Sequence, residues 1–392
     1  MQIDYLSLDI AIEHTEDGYF VRMANAPTGD AVAKFQSPFT PAEQDTLHRL
    51  IATGEMGQST GGASAATLQQ WGTRLFHALF PSTLQNMLQS NYHYAYQARA
   101  KLRIRLQINH APQLAMLPWE YLFDPVRNEF MALSLQSPFV RYTNLMHQIV
   151  PFKVESPLRM LVVISSPGGY PPFERERAWF TILDTLDYLA LENKLVIERL
   201  NKPTLLDLQR RLRQKECHML HFIGHGSTDE LTGDASLIFE DEMGRGRRVN
   251  GEHLGSLLRD HFPLRLITLT AGDVVRTATA NPYLKIAANL VQRGLPAVMA
   301  THSSLSASAT ATFVNKFYTM AANFAPIDVA MSEARRALVE DAQASAWGLP
   351  ALFMRTPEGQ LFTPVQPDQQ KLAEEAASAS RRRRFWPAFV KR

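Results

Sequence analysis

The chain has 392 residues, of which 45% are hydrophobic and 20% are charged. These values are typical of a globular protein and exclude a chain that is disordered or coiled-coil over most of its length. The formal net charge of +2 gives no indication of a nucleic-acid partner. The single cysteine, Cys217, excludes an internal disulfide. No signal-peptide pattern or apolar run of about 20 residues occurs, so we expect a cytoplasmic protein.

Residues 1–150 mix helical and strand-like patterns and predict an α+β flank. Residues 7–21 alternate weakly, as in an exposed hairpin, and residues 53–65 have the Gly, Ser and Thr content of a loop. The spacing of Leu, Trp and Phe predicts one helix over residues 67–88. Residues 102–108 alternate apolar and polar side chains, which is the period of a half-buried strand.

Strands and helices alternate from residue 151 to about residue 365. Short, continuously apolar runs predict strands that are buried on both faces, and amphipathic segments separate them. This alternation predicts an α/β fold with an open, mostly parallel sheet and helices on both faces. The predicted strands are residues 160–164, 194–200, 219–223, 264–270 and 297–300, and the predicted helices are residues 173–193, 203–214, 281–293, 306–322 and 327–341.

Two of the predicted strands end in residues that could carry chemistry. One strand leads into His225 and Gly226, and the other leads into Gly272 and Asp273. In open parallel sheets the carboxyl ends of the strands open onto the crevice where ligands bind. We therefore expect these four residues to lie at one groove.

The same segments carry a resemblance to a known family. His221-Phe-x-Gly-His-Gly226 and Leu269-Thr-Ala-x-Asp273 resemble the CHAT family of caspase-like peptidases. Flanking segments in the same order extend the resemblance from near the N-terminus to about residue 362. These segments are Leu117-Pro-Trp-Glu-Tyr-Leu122, residues 289–298, Ala334-Arg-Arg-Ala337 and Trp347-Gly-Leu-Pro-Ala-Leu352.

The resemblance implies a caspase-like fold and a Cys-His dyad that hydrolyses peptide bonds of protein substrates without a cofactor. It places the catalytic base at His225, an oxyanion-holding amide at Gly226 and the nucleophile at position 272. Gly272 has no side chain, so the chain as written is predicted to be inactive. A native glycine of a pseudopeptidase and an inactivating substitution both fit. Asp273 beside the site either shapes substrate acceptance or caps the following turn.

Other residues are poor substitutes for the missing nucleophile. Cys217 is eight residues before His225, about 26 Å of extended chain, and is expected to be a buried structural residue. The same distance argues against a metal site of Cys217, His221 and His225, and no metal is expected. Thr270 lies about 6 to 7 Å from Gly272 along the strand, but a hydroxyl without a well-placed base is weakly nucleophilic.

The leading hypothesis is therefore a peptidase-family protein with an incomplete dyad. The alternative is a non-catalytic protein-binding or scaffold module in bacterial signalling or defence, with a protein or peptide partner in the former substrate cleft. Residues 366–392 are predicted to be a basic, disordered tail. Its Arg381, Arg382, Arg383 and Arg384, followed by aromatic residues, are typical either of a solvated tail or of a segment that contacts an anionic membrane surface.

Overall fold

A computed structural model of the chain describes residues 4–44, 46–47, 63–145, 149–229, 231–272, 281–340 and 346–365. Asp273, the arginines 381–384 and most of the predicted loop at residues 53–65 lie outside the described residues. The described helices are α1 (Ala63–Leu79), α2 (Ser82–Gln97), α3 (Arg175–Leu191), α4 (Leu205–Gln214), α5 (Gly251–Leu258), α6 (Pro282–Gln292), α7 (Ala307–Ala322) and α8 (Ile327–Glu340).

Most of the described strands belong to one thirteen-stranded sheet. The strands of the flank are β1 (Tyr5–Thr15), β2 (Gly18–Ala24), β3 (Ala31–Phe35), β4 (Lys101–His110), β5 (Phe123–Asp124), β6 (Glu129–Phe130) and β7 (Phe139–Tyr142). Those that follow are β8 (Phe152–Val154), β9 (Leu158–Ile164), β10 (Leu195–Arg199), β11 (Met219–Thr228), β12 (Ala235–Glu240), β13 (Gly246–Asn250), β14 (Leu266–Ala271), β15 (Ala297–Thr301), β16 (Pro350–Met354) and β17 (Phe362–Pro364).

The main sheet is mixed but mostly parallel. Its strand order is β10-β9-β11-β14-β15-β16-β7-β4-β1-β2-β3, and β12 and β13 extend it from the end of β11. Strands β10, β9, β11, β14 and β15 are parallel to one another, whereas β16 is antiparallel to β15. Two short pairs, β5 with β6 and β8 with β17, lie outside it.

The sheet separates two apolar clusters. In β11, Met219 and Ile223 belong to the cluster that packs under α3 and α7, and Leu220 and Phe222 belong to the cluster that packs under α4, α5 and α6. This alternation follows from the two-residue period of a strand. The prediction of an α/β sheet with helices on both faces is confirmed.

The strands of the flank continue the same sheet. Parallel pairing of β7 with β16 brings Arg141 opposite Phe353, and β4 pairs with β7 on the other side. A buried ion pair between Arg103 of β4 and Asp328 of α8 joins the flank to the core a second time.

Several element predictions need correction. The helix predicted over residues 67–88 is two helices, because Pro81 stands between α1 and α2 and its ring is incompatible with a helix interior. The strand predicted at residues 219–223 continues to Thr228, so that His225 lies within β11, opposite Ile238 of β12. None of the described helices is long and apolar enough to cross a bilayer.

Candidate active site

The structure brings His225 and Gly272 together at one edge of the sheet. Strands β11 and β14 are parallel neighbours in which Gly224 pairs with Ala271. The Gly272 N–H continues this ladder by donating to the carbonyl oxygen of Gly224 at 3.0 Å. The residues after each pairing partner, His225 and Gly272, therefore lie side by side at the strand ends.

His225 is covered by aromatic side chains and is 1% exposed. Tyr170 stacks on the imidazole with ring centroids 5.5 Å apart, and Phe173 meets it edge-on at 5.6 Å. Both rings come from the loop between β9 and α3. This loop separates the histidine from solvent.

Phe173 also occupies the space beside Gly272. A Cβ on residue 272 would lie 2.5 Å from Cζ and 2.6 Å from Cδ1 of the Phe173 ring, closer than carbon atoms approach without a clash. The same ring contacts the imidazole of His225. The space that a side chain on residue 272 would need is therefore filled by an aromatic ring.

Gly226 lies against the start of α6. A Cβ on this residue would lie 2.6 Å from Cγ of Pro282 and 3.2 Å from Cζ of Tyr283. The Tyr283 hydroxyl donates to the Gly224 carbonyl oxygen at 2.7 Å, and the Gly226 N–H is directed at that hydroxyl. In this arrangement the Gly226 amide is engaged with Tyr283.

A cleft of 730 Å³ opens beside Gly272 on the face of the sheet that α3 and α7 cover. Thr270 and Gly272 line its floor. One wall is the loop with Phe173 and the first turns of α3, and the other wall is the end of β15 and the start of α7. The polar side chains that line these walls are Glu174, Arg177, Thr181, Thr301, Ser304, Ser306 and Thr310.

Thr270 has a histidine partner that sequence reasoning missed. The Nε2 atom of His221 lies 3.1 Å from Oγ1 of Thr270. Burial lowers the pKa of His221 to about 3, so the imidazole is neutral at physiological pH and takes up a proton poorly. Thr270 is therefore not activated as a nucleophile. The pairing of Ile223 with Thr270 puts His221 and Thr270 on one face of the sheet, and this cross-strand register has no signal in the sequence.

A buried ionic cluster lies beside the cleft wall that is formed by the end of β15 and the start of α7. Glu120, in the Pro-Trp-Glu segment, accepts from Nε and Nη2 of Arg141 at 2.9 and 2.7 Å. Its carboxylate also lies 3.0 Å from Nε2 of His302, the residue that follows β15. Burial alone would raise the pKa of Glu120, but Arg141 and His302 hold it below its usual range. His302 begins the segment that continues into the cleft wall at Ser304.

Cys217 lies far from this site, two residues before the start of β11. It is 4% exposed, its thiol contacts the Met219 carbonyl oxygen at 3.1 Å, and burial raises its pKa to about 12. A thiol that stays protonated is inert. Among the described residues, no group of three or more His, Cys, Asp or Glu side chains is close enough to hold a metal ion.

The described fold is that of a caspase-like α/β protein, although His225 and Gly226 do not line the cleft beside Gly272. The CHAT domain profile matches residues 69–391, so the chain belongs to the CHAT family. Two solved structures are similar: a separase-securin complex from Saccharomyces cerevisiae, with 9% identity and a TM-score of 0.51, and gingipain R, an Arg-specific cysteine proteinase, with 11% identity and a TM-score of 0.42. The similarity covers 90% of this chain but only 30% of the separase chain, and 81% of this chain and 74% of the gingipain chain. No curated protein matches the sequence.

Proposed function

We propose that this protein is a pseudopeptidase of the CHAT family, which keeps the histidine of a Cys-His dyad at His225 and cannot form the thiolate at position 272. The observation that carries the proposal is the ring of Phe173, which fills the space of a nucleophilic side chain between His225 and Gly272. Loss of a nucleophile lowers turnover by about 10⁶ in a well-studied serine protease, and we expect a loss of that order here.

The cleft beside Gly272 supports a role in holding a peptide or protein. Its volume of 730 Å³ is within the range of ligand-binding clefts, about 300–1,000 Å³. Threonine and serine hydroxyls along its walls can bond to a peptide backbone. The similar separase structure is a complex with securin, and we extend a protein partner to this chain as part of the proposal. A binding module of bacterial signalling or defence is consistent with the same cleft.

Restoring the nucleophile tests the proposal. We expect Gly272→Cys alone to stay inactive, because its thiol would overlap the Phe173 ring, and we expect Gly272→Cys combined with Phe173→Ala to cleave protein substrates. The measurements are self-cleavage and casein proteolysis, together with the rate at which a thiol reagent labels the protein. The unmodified chain is the matched control for labelling, since its one thiol is the buried Cys217.

Adding His225→Ala to the double variant should abolish the activity again. Equal activity of Gly272→Cys with and without Phe173→Ala would contradict the blocking role of Phe173. A folded double variant that labels rapidly but cleaves nothing would overturn the disabled-peptidase proposal and favour the binding module.

A further inference from the structure

A second pocket lies at the edge of the sheet opposite the candidate active site. It is formed where β14 and β15 begin and where β16 ends, and its volume is 310 Å³. We call it the basal pocket. The residues of the basal pocket that matter for the argument are Val150, Arg259, Phe262, Arg265, Leu295 and Arg355.

The basal pocket is lined by three arginines. Arg259 and Arg355 converge on Gly294, where a Cβ would lie 3.8 Å from Cγ of Arg259 and 3.6 Å from Nη1 of Arg355. Arg259 pairs loosely with the exposed Asp260, whose Oδ1 lies 3.7 Å from its Nε. None of the described side chains that line the pocket is a carboxylate, so its described lining is basic.

Arg265 is the most deeply placed of these arginines, at 5% exposure. Its guanidinium packs 4.1 Å from the ring centroid of Phe262 and 5.6 Å from that of Phe152. Within the described part of the chain, Nε and Nη2 of Arg265 have no hydrogen-bond partner. These two atoms have almost no accessible surface, so a ligand in the pocket would meet another part of the guanidinium. Guanidinium groups bind carboxylates and phosphates strongly.

A buried guanidinium without an acceptor is costly, because its charge is desolvated and its donors are unsatisfied. Burial accordingly lowers the pKa of Arg265 from its ordinary value. Stacking on the two phenylalanine rings compensates the charge in part, but an aromatic face accepts no hydrogen bond in the plane of the guanidinium. An anion in the pocket would supply the missing counter-charge.

We propose that the basal pocket binds a small organic anion, in which a carboxylate or phosphate group contacts Arg265 and an apolar body packs against Val150, Phe262 and Leu295. The volume suits a ligand of this size and lies at the lower end of ligand-binding cavities, about 300–1,000 Å³. Arg259 and Arg355 attract the anion at the mouth of the pocket. The site lies at the start of β14, and the candidate active site lies at the end of the same strand.

Thermal unfolding of the full chain with probe anions tests this site. Sodium benzoate represents a carboxylate and phenyl phosphate represents a phosphate monoester, whereas benzamide and sodium chloride at equal ionic strength control for the ring and for salt. We expect at least one of the two anions to raise Tm by about 1–3 °C at millimolar concentration, and the controls to leave it unchanged. The anion that acts identifies the headgroup chemistry.

Arg265→Met should remove the anion-dependent rise in Tm, and Arg22→Met, which changes an exposed arginine on β2, should keep it. If Arg265→Met does not fold, the deciding measurement is calorimetric titration of the active anion into the unmodified chain and into the Arg259→Met/Arg355→Met variant. We expect the anion to bind the double variant with a Kd at least about fivefold weaker. The proposal is overturned by an absent anion effect in the unmodified chain, by an undiminished effect in folded Arg265→Met, or by an unchanged Kd in the double variant.

Discussion

The ring of Phe173 occupies the space that a side chain on residue 272 would need, just after the end of β14. The sequence could predict that His225 and Gly272 meet, because both follow apolar strands of a parallel sheet. It could not predict Phe173, which comes from a loop about 100 residues earlier than Gly272 in the chain. Side-chain packing from a loop has no period that reveals it, and so the ring that fills the space beside Gly272 was missed.

Two buried histidines, His221 on β11 and His218 just before that strand, predict that the stability of the folded protein depends on pH. Burial lowers the pKa of His221 to about 3 and, with a contribution from Arg159, that of His218 to about 4. In the unfolded chain an imidazole titrates near about pH 6.5. The unfolded state therefore binds more protons below that pH, so stability that is full above about pH 6.5 is lost as the pH falls towards 4.

His221→Gln should make this loss shallower, by up to about 1.4 kcal/mol per pH unit between about pH 6.5 and 4.5, since one proton fewer is taken up on unfolding. The measurement is the free energy of unfolding in urea at a series of pH values. His253→Gln, which removes an exposed histidine from α5, is the matched control. An identical pH dependence in all three proteins would contradict the prediction.

At the scale of elements, the apolar strands were the most predictable part of the fold. Strands β9, β10, β14 and β15 fall within a few residues of their predicted positions, because a continuous apolar run that is too short for a helix usually forms a buried strand. Strands β7 and β16 were missed, since pairing across distant parts of the chain decides them. The sequence contains Pro81, but the helical spacing on both sides of it led to the prediction of a single helix.

The ionic cluster of Glu120, Arg141 and His302 ties three elements together, and its removal should be costly. Glu120→Gln is expected to lower the free energy of unfolding by about 3–5 kcal/mol, because Arg141 would remain buried without its carboxylate. The measurement is urea denaturation near neutral pH. Glu13→Gln, which breaks the exposed pair with Arg22, is the matched control and should cost less than about 1 kcal/mol. Equal losses in both variants would show that the buried cluster is not a special support of the cleft wall.

At the scale of the whole molecule, the CHAT match at residues 69–391 crosses the predicted boundary between the flank and the core at residue 150. The sheet crosses it as well, through the pairing of β7 with β16 and the burial of Arg103 against Asp328. The flank therefore shares hydrogen bonds and apolar contacts with the core rather than resting on a separate interface. The family resemblance, which runs from near the N-terminus to about residue 362, already placed the flank in the same unit as the core. The strand pairing that joins them could not be predicted, because composition carries no information on which strands are neighbours.

This continuity predicts that residues 1–365 unfold as one cooperative unit. Scanning calorimetry should give a single transition whose calorimetric and van't Hoff enthalpies agree. A fragment of residues 151–365 would leave the edge of β16 and the apolar side chains beneath α8 without their partners, and an open apolar edge promotes aggregation. We therefore expect that fragment to lack a cooperative transition by circular dichroism and to elute as aggregates, whereas residues 1–365 remain folded. Two separated transitions in the longer chain, or a native-like melting curve for the fragment, would show that the flank and the core fold independently.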